Sequence, residues 1–146
     1  MKAKSIMTLF AVLLITMRTY AQEGPDAIIG VWETEDKDGR MEFYKCGDAY
    51  CGKLLWGKDI VGTDGVTSKK DTNNPDEALR NRDLVGITNL TGLRYKNGEY
   101  ADGEIYDANS GKMYSCKVKL RKGEMHMRGY IGVPLLGQTV IWKRVK

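Results

Sequence analysis

Residues 113–131 read MYSCKVKLRKGEMHMRGYI, two stretches of alternating apolar and charged residues joined at Lys122-Gly123. Such alternation predicts β-strands with one buried and one solvated face, and the central glycine favours a two-residue hairpin loop. We expect Arg121 to pair with Glu124, which fixes the faces of both strands because side chains alternate along a strand. The predicted interior face carries Tyr114, Cys116, Val118, Leu120, Met125, Met127, Gly129 and Ile131.

The same pattern of strand-like stretches separated by turn residues continues over most of the chain. From residue 29 onward, stretches rich in Val, Ile, Tyr, Trp and Thr alternate with turn residues, including Asn97-Gly98 as a second two-residue loop. Consecutive hairpins form a meander, and a meander of about eight strands removes its edges by closing into a barrel. The predicted fold is therefore all-β, an antiparallel up-and-down barrel. The predicted strands cover residues 29–35, 40–46, 51–58, 85–90, 100–106, 113–121, 124–131 and 139–145.

One long polar segment, residues 57–82, interrupts the series of predicted strands. Asn74-Pro75-Asp76-Glu77 has the residues of a helix start, with a capping Asn, a Pro at the first helical position and acids in the first turn. We expect a short helix over residues 75–80. A connection of this length serves either as a functional lid or as a plain surface loop.

The first 21 residues have the pattern of a secretory signal peptide. Two lysines precede an uncharged apolar run at residues 6–17, and Thr19-Tyr20-Ala21 precedes the expected cleavage site. An anchor that stays attached is the alternative, although the run is shorter than the roughly 20 apolar residues of a membrane span. We expect residues 1–21 to be removed, and residues 22–146 to form one domain with no transmembrane segment after cleavage.

The expected mature chain is nearly neutral. Removal of residues 1–21 takes away three of 23 basic residues and none of the 19 acidic residues, which leaves a formal charge of +1. Nucleic-acid binding requires a concentrated basic surface. We therefore expect no nucleic-acid partner.

Cys46 and Cys51 lie in the stretch YKCGDAYCGK with four residues between them. If they face each other across a hairpin, their Cβ atoms are close enough for a bridge, and an exported protein meets oxidising conditions. We predict a disulfide, with free thiols as the alternative.

Catalytic and metal-binding sites are not expected. A zinc site requires four donors, whereas the chain offers one histidine, His126, and the predicted register places it on the opposite face from Cys116. The same separation argues against a Cys-His nucleophile pair. We predict no catalytic residue, no metal site and no cofactor.

The interior of an eight-stranded barrel either is filled by side chains or holds one small ligand, and both outcomes stay open. Arg94, expected opposite Ala101, would point inward at a barrel end and hold an anionic head group, unless a one-residue bulge turns it to solvent. The predicted ligand-binding residues are Phe43, Leu54, Trp56, Arg94, Tyr114 and Met127.

Four stretches, GVWETEDKDGRMEFYKCGDAYCGKLLW, NNPDEALRNRDLVGITNLTGL, GEIYDANSGKMYSCKVKL and MRGYIGVPLLGQTVIWKRV, resemble the bacterial exported family catalogued as domain of unknown function 2147. The resemblance implies a lipocalin-like barrel in the envelope of Gram-negative bacteria, and it brings no activity with it. Gly30-Val31-Trp32 and Arg144 also resemble lipocalins, which implies that Trp32 packs under Arg144 as a structural pair where the barrel closes.

These expectations combine into a secreted or periplasmic protein of the cell envelope that binds a small, partly hydrophobic molecule without catalysis. The alternative is a protein-interaction or inhibitor module with an envelope protein as partner, and the third candidate is an enzyme of unrecognised type. An open apolar cavity would favour the first function, and a filled barrel with an exposed apolar patch the second. Inward polar groups with perturbed acidity would favour the third.

Overall fold

The computed structural model of this protein describes residues 24–145, which form a closed barrel of eight antiparallel strands. Each strand pairs with its neighbours in the chain, and the first strand closes the barrel by pairing with the last. The predicted signal peptide at residues 1–21 lies outside the described residues. The strands are β1 (Gly30–Thr34), β2 (Gly39–Cys46), β3 (Ala49–Gly57), β4 (Thr88–Lys96), β5 (Glu99–Asp107), β6 (Lys112–Arg121), β7 (Glu124–Tyr130) and β8 (Gln138–Arg144). Short 3-10 helices cover Pro25–Ile28, Glu77–Leu79 and Pro134–Leu136.

The predicted up-and-down barrel is confirmed, and the β6–β7 hairpin has the predicted register. Arg121 pairs with Glu124 and Cys116 pairs with Gly129 across the two strands. Cys116, Val118 and Met125 on the inward face are completely buried.

The fourth strand differs from its prediction, because it covers Thr88–Lys96 instead of residues 85–90. Gly92, with φ +73°, interrupts the alternation within this strand, and Asp102 on β5 has φ +62°. Leu93 and Tyr95 therefore point inward on the far side of this irregularity. Local sequence suggests a strand end at Thr91-Gly92, whereas the pairing with β5 continues to Lys96.

The two ends of the barrel are built differently. One end, which we call the closed end, carries the short turns of the β2–β3, β4–β5 and β6–β7 hairpins. The 3-10 helix at Pro25–Ile28 covers it: the Tyr100 hydroxyl donates to the Pro25 carbonyl at 2.7 Å, and Ile28 is completely buried. The other end, the open end, carries the four longer connections at residues 35–38, 58–87, 108–111 and 131–137.

The predicted disulfide between Cys46 and Cys51 is present at the closed end, with the two Cα atoms 6.0 Å apart. Its register differs from the expectation of directly opposed cysteines, because Cys46 pairs with Ala49 and Cys51 pairs with Tyr44. The reason is the loop, in which Gly47 has φ +64° and allows a two-residue turn instead of four residues. The bridge therefore runs diagonally between the strands.

Replacement of both cysteines by serine (C46S/C51S) is expected to lower the free energy of unfolding by about 2 kcal/mol, since the bridge closes only a small loop. Urea unfolding followed by tryptophan fluorescence measures this change. Wild-type protein treated with a reductant should reach the same midpoint as the double variant. A midpoint that neither treatment moves would contradict a stabilising bridge.

The helix predicted over residues 75–80 is wrong in type and length. Only Glu77–Leu79 forms a 3-10 helix, and its N-cap is Asp76, whose carboxylate accepts from the Ala78 amide at 3.0 Å. Asn74, the predicted cap, is buried and donates its side-chain amide to Asp71 at 2.7 Å. Its side-chain oxygen accepts from the Asp76 amide at 2.9 Å, so Asn74 caps a turn that precedes the 3-10 helix, while Asp76 caps the helix itself.

Candidate ligand-binding cavity

A cavity with two adjoining lobes lies at the open end of the barrel. The first, which we call the acidic lobe, has a volume of about 660 Å³, and the second, the apolar lobe, about 700 Å³. Both volumes lie within the roughly 300–1,000 Å³ range of small-molecule sites. The lobes share part of their walls, namely Ile105, Asp107, Val140 and Trp142.

The interior of the barrel is filled in one half and open in the other. Near the closed end, Trp32, Phe43 and Leu93 are buried and pack into one core cluster. On β8, Val140 pairs with Met127 and lines both lobes, yet it stays 46% exposed. An inward side chain with this exposure faces open space, so the barrel is neither completely plugged nor hollow throughout.

The apolar lobe is open partly because Gly129 has no side chain to fill it. This residue pairs with the inward Cys116, so a side chain at this position would point into the barrel. An added Cβ would meet no atom within 4 Å, which shows that the missing side chain leaves room. Apolar and aromatic side chains surround this space, namely Ile105, Tyr114, Met127, Ile131, Leu136, Val140 and Trp142.

Several carboxylates line the acidic lobe, and one of them is paired with Lys58. Asp38 accepts a salt bridge from Lys58 at 2.9 Å, and this contact, with a hydrogen bond from Thr34, holds the pKa of Asp38 below its usual value. The pKa of Lys58 is raised, first by Asp38 and further by the charges of Asp59 and Asp36. Asp38 is paired with this lysine, and Asp36 and Asp59 line the same lobe, so carboxylates outnumber the ammonium group there and the local charge is negative.

Two polar atoms in the wall of the acidic lobe lack a hydrogen-bond partner. The side chains of Asn89 and Trp142 are only 8% and 7% exposed, yet Asn89 Oδ1 and Trp142 Nε1 make no hydrogen bond within the protein. The Asn89 amide nitrogen donates to the Tyr106 carbonyl at 3.3 Å, which leaves the oxygen as the free atom. An unsatisfied buried polar group costs about 1–3 kcal/mol, so this pair of atoms requires an explanation.

The long connection between β3 and β4 forms part of the cavity wall through Ile60 and is held against the barrel. The Asn73 side-chain amide donates to the carbonyls of Ala108 and Asn109 at 3.2 and 2.9 Å. Asp71 accepts from Tyr106 on β5 at 2.6 Å. Of the two roles open to a segment of this length, these anchors favour a fixed wall over a mobile lid.

The predicted ligand-binding residues fall into three groups. Leu54 and Trp56 line the acidic lobe, whereas Tyr114 and Met127 line the apolar lobe. These four residues are placed where a ligand could contact them, and their binding role stays a prediction. Phe43 is completely buried in the core and lines neither lobe, so its placement in a binding cavity is wrong. Its position opposite Gly52 in the filled half explains the difference.

The inward placement of Arg94 is also wrong. Arg94 pairs with Ala101 as expected, but the irregularity at Gly92 reverses the faces of β4 beyond it. The side chain is exposed and forms an ion pair with Asp48 at 2.9 Å at the closed end. It therefore cannot hold a head group inside the barrel.

The structural pair of Trp32 and Arg144 is present at the closed end. The two residues are register partners on β1 and β8, and the Arg144 guanidinium lies 4.3 Å from the centroid of the Trp32 ring. Arg144 also donates to the Ile29 carbonyl at 2.8 Å, so it ties the last strand to the segment before the first.

Sequence reasoning missed Asn89, Gly129, Val140 and Trp142 as cavity residues. Val140 pairs with Met127 and Trp142 pairs with Met125, so extending the register from β7 would have placed both inside, although Ile141 between them hides the alternation. Asn89 gave no such signal, because it lies at an irregularity between β3 and β4 where simple alternation fails.

Two features of residues 24–145 concern metal binding and thiol chemistry. No group of three or more His, Cys, Asp or Glu side chains in this range is placed to hold a metal ion. Burial raises the pKa of the Cys116 thiol to about 12, which disfavours the reactive thiolate. No helix within the same range is long and apolar enough to span a membrane.

A closed eight-stranded barrel with one covered end and a cavity at the other defines a lipocalin-like protein. Residues 30–144 match the family described as "Uncharacterized protein conserved in bacteria (DUF2147)", and the chain belongs to this family. Protein HP1028 from Helicobacter pylori, described as belonging to the lipocalin family, is similar in structure with a TM-score of 0.70. The two chains are 27% identical, and the match covers 82% of this chain and 83% of HP1028. A comparison with curated proteins gave no match.

Proposed function

We propose that this protein binds a small, partly hydrophobic molecule in the open half of its barrel, without acting on it chemically. The observation that carries the proposal is the two-lobed cavity, in which the inward Val140 is half exposed and Gly129 leaves space beside it. Exposed apolar surface inside a concave wall is costly in water and is covered when an apolar molecule enters.

We also propose a secreted or periplasmic location in the cell envelope. The Cys46–Cys51 bridge supports this, since disulfides persist in oxidising compartments. The match to a bacterial family and the signal-like residues 1–21 are consistent with it. Native mass spectrometry of the protein purified from its own envelope tests location and binding together through a co-purifying small molecule.

Replacement of Gly129 by leucine is expected to weaken ligand binding at least about tenfold, because the new side chain occupies space that an apolar ligand would use. The neutral fluorophore 1-N-phenylnaphthylamine serves as the probe, and its fluorescence titration gives Kd. The backbone of Gly129 requires no positive φ and an added Cβ meets no atom, so the variant is expected to fold.

Gly24→Leu is the matched control for this experiment. An added Cβ at Gly24 also meets no atom within 4 Å, but this residue precedes the 3-10 helix at the closed end, away from both lobes. The control should bind the probe as wild type does. Equal probe affinity in Gly129→Leu and wild type, or no binding by wild type at all, would contradict the proposed site.

Exposed apolar side chains favour the alternative function, a protein-interaction or inhibitor module with an envelope protein as partner. Leu135, next to the mouth of the cavity, is 85% exposed, and Val133 is also exposed. Under this alternative, V133S/L135S would lose a partner that crosslinks to wild type in the envelope, while its probe affinity stays unchanged. The third candidate, an enzyme, has no comparable observation in its favour among the described residues.

A further inference from the structure

The loop between β7 and β8, which we call the apolar loop, presents an apolar surface to solvent. It covers residues 131–137, which read IGVPLLG, without a polar or charged side chain. Leu135 and Leu136 are 85% and 77% exposed, and Ile131 and Val133 are more than half exposed. Single exposed apolar side chains are ordinary, but four of them on one short loop mark a surface that a partner covers.

The apolar loop is anchored to the outward face of β7. Arg128 donates from Nε to the Pro134 carbonyl at 2.6 Å and from Nη2 to the Leu135 carbonyl at 3.1 Å. Gly137 packs so closely on β7 that an added Cβ would lie 2.5 Å from the Gly129 carbonyl oxygen. The exposed side chains of the loop are therefore carried by a backbone that is held in place.

A basic groove lies beside this loop on the outer wall of β6 and β7, and Arg128 belongs to both features. The volume of the groove is about 280 Å³. Four basic side chains against one carboxylate give it a formal charge of +3 when its histidine is neutral. The lining residues are Glu99, Lys117, Lys119, Arg121, His126, Arg128 and Thr139.

Most of this positive charge has no carboxylate partner. Lys117 forms an ion pair with Glu99 at 3.2 Å. Within the described part of the chain, Lys119, Arg121 and Arg128 make no ion pair, and the hydrogen bonds of Arg128 go to uncharged oxygens. The groove can therefore attract an anion with three unpaired cations.

The strand register adds to the demand for an anion. Lys117 lies directly opposite Arg128, and like charges in this position lower stability. Glu124, the nearby acid on β7, is already paired with Lys143 at 3.4 Å. An external anion would relieve the repulsion that the barrel itself leaves uncompensated.

An anionic lipid surface matches both features in chemistry and in position. It offers negative phosphates above an apolar layer, and proteins bind it by burying apolar area and by electrostatic attraction. Protein interfaces instead concentrate their binding energy in Trp, Tyr and Arg, with Leu and Val under-represented. The apolar loop is wholly aliphatic and projects into solvent, so it fits a fluid apolar layer better than a protein partner.

We propose that this protein docks on the surface of an anionic phospholipid membrane through the apolar loop and the basic groove. Leu135 and Leu136 enter the apolar layer, while Lys119 and Arg121 lie among the head-group phosphates. Leu136 also lines the apolar lobe, so docking places the cavity beside the lipid. The docking does not depend on ligand binding, and it assigns to lipid the side chains that the alternative function assigns to a protein partner.

Sedimentation with lipid vesicles tests the proposal. The protein is purified from its own envelope, so that its N-terminus is processed as in the cell. One set of vesicles contains equal parts of phosphatidylethanolamine and phosphatidylglycerol, and in the second set phosphatidylcholine replaces phosphatidylglycerol. Wild type is expected to bind the anionic set at least about tenfold more tightly. This preference should fall as salt rises from about 0.1 to 1 M, because screening shortens the range of the attraction.

Leu135→Ser tests the apolar contact and is expected to weaken binding to the anionic vesicles about tenfold, since serine contributes little apolar area. Leu135 lines neither lobe, and its urea midpoint should equal that of wild type. Val66→Ser is the matched control. Val66 is 79% exposed, but it lies on the connection that follows β3, the strand across the barrel from β7. This control should bind the vesicles as wild type does.

The double variant K119Q/R121Q tests the charges. It is expected to weaken vesicle binding at least about tenfold, because each basic residue near an anionic surface contributes about a fivefold factor. K45Q/K53Q removes the same number of charges from β2 and β3, which lie across the barrel from β6 and β7. This control should change the affinity by about twofold at most, since salt screens distant charges.

Equal binding of wild type to the two sets of vesicles overturns the proposal. Equal losses in Leu135→Ser and Val66→Ser, or in the two charge variants, overturn it as well. If inorganic phosphate releases the protein where sodium chloride of the same ionic strength does not, the groove binds a soluble anion instead of a membrane. If no vesicle binds and an envelope protein crosslinks to wild type but not to V133S/L135S, the loop binds a protein. None of these results bears on the cavity, because 1-N-phenylnaphthylamine reports its binding separately.

Discussion

Replacement of Trp32 by alanine is expected to lower the free energy of unfolding by about 3–5 kcal/mol, the usual cost of removing a large aromatic side chain from a core. Trp32 is only 1% exposed and donates its indole N–H to the Ile28 carbonyl at 2.9 Å. The Arg144 guanidinium covers its ring. The substitution therefore leaves a cavity beneath a charged side chain and releases the 3-10 helix that covers the closed end.

Arg144→Met is the companion to this prediction, and both are measured by urea unfolding. It retains an apolar chain over the ring but loses the hydrogen bonds to the Ile29 and Ala27 carbonyls, so we expect a smaller loss of about 1–2 kcal/mol. If Trp32→Ala lowers the free energy of unfolding by less than Arg144→Met does, the Trp32 ring is not the main support of the closed end. Probe binding by Arg144→Met should persist, since the cavity lies at the other end.

Tight hairpins were the most predictable part of the fold. In the stretch at residues 113–131, a two-residue turn fixes the register, and strict alternation then assigns every side chain to a face. The inward Cys116 and the outward His126 follow directly from this rule. Sequence reasoning of this kind uses only local geometry, and it succeeds where the ladder is regular.

Irregular pairing limits the same reasoning elsewhere in the barrel. A single irregularity at Gly92 exchanges the faces of β4, so Arg94 points outward and Leu93 points inward. Another lies near Asn89, where β3 and β4 change register. Such bulges depend on how neighbouring strands curve and pack, and a single strand does not encode their positions in its alternation.

The cavity in the open half of the barrel could not be predicted from residue types alone. Leu54, Trp56, Tyr114 and Met127 are as suitable for filling a core as for lining a cavity. The outcome depends on the missing side chain at Gly129 and on where the long connection packs. Both are properties of the assembled barrel, which explains why the two outcomes stay equally open in the sequence.

A second large effect is expected at Asp71, a carboxylate that is completely buried in the long connection. It accepts hydrogen bonds from Tyr106 at 2.6 Å, from Asn74 at 2.7 Å and from Arg82 at 2.9 Å. Asp71→Ala leaves these three donors without their acceptor. We expect it to lower the free energy of unfolding by about 3 kcal/mol at pH 7, at the low end for a buried pair because Arg82 is partly exposed.

Asp83→Asn is the matched control on the same connection. Asp83 forms an ion pair with Lys70 at 2.7 Å, but both side chains are more than half exposed. Exposed pairs contribute about 0–1 kcal/mol, so the control should unfold nearly as wild type does. A loss in Asp71→Ala no larger than in Asp83→Asn would contradict a structural role for the buried network.

The stability supplied by Asp71 is expected to disappear in acid. Burial alone raises the pKa of this carboxyl, but the hydrogen bonds from Tyr106, Asn74 and Arg82 outweigh burial and hold the pKa below the usual 3.8. A lowered pKa in the folded state means that the stabilisation is complete above about pH 4 and is lost as the pH falls through the folded-state pKa. The difference in unfolding free energy between wild type and Asp71→Asn should therefore shrink between pH 7 and pH 3, while other carboxylates titrate equally in both proteins.

The same network links the long connection to the cavity. Tyr106, whose hydroxyl donates a hydrogen bond to Asp71, lines the acidic lobe, and Ile60 from the connection lines that lobe as well. Loss of the carboxylate should loosen this wall before the barrel unfolds, because local segments open at lower free energy than the whole domain. Asp71→Ala is therefore expected to weaken binding of 1-N-phenylnaphthylamine at urea concentrations where tryptophan fluorescence still reports a folded barrel. Probe affinity that follows global unfolding alone would show that the wall does not depend on Asp71.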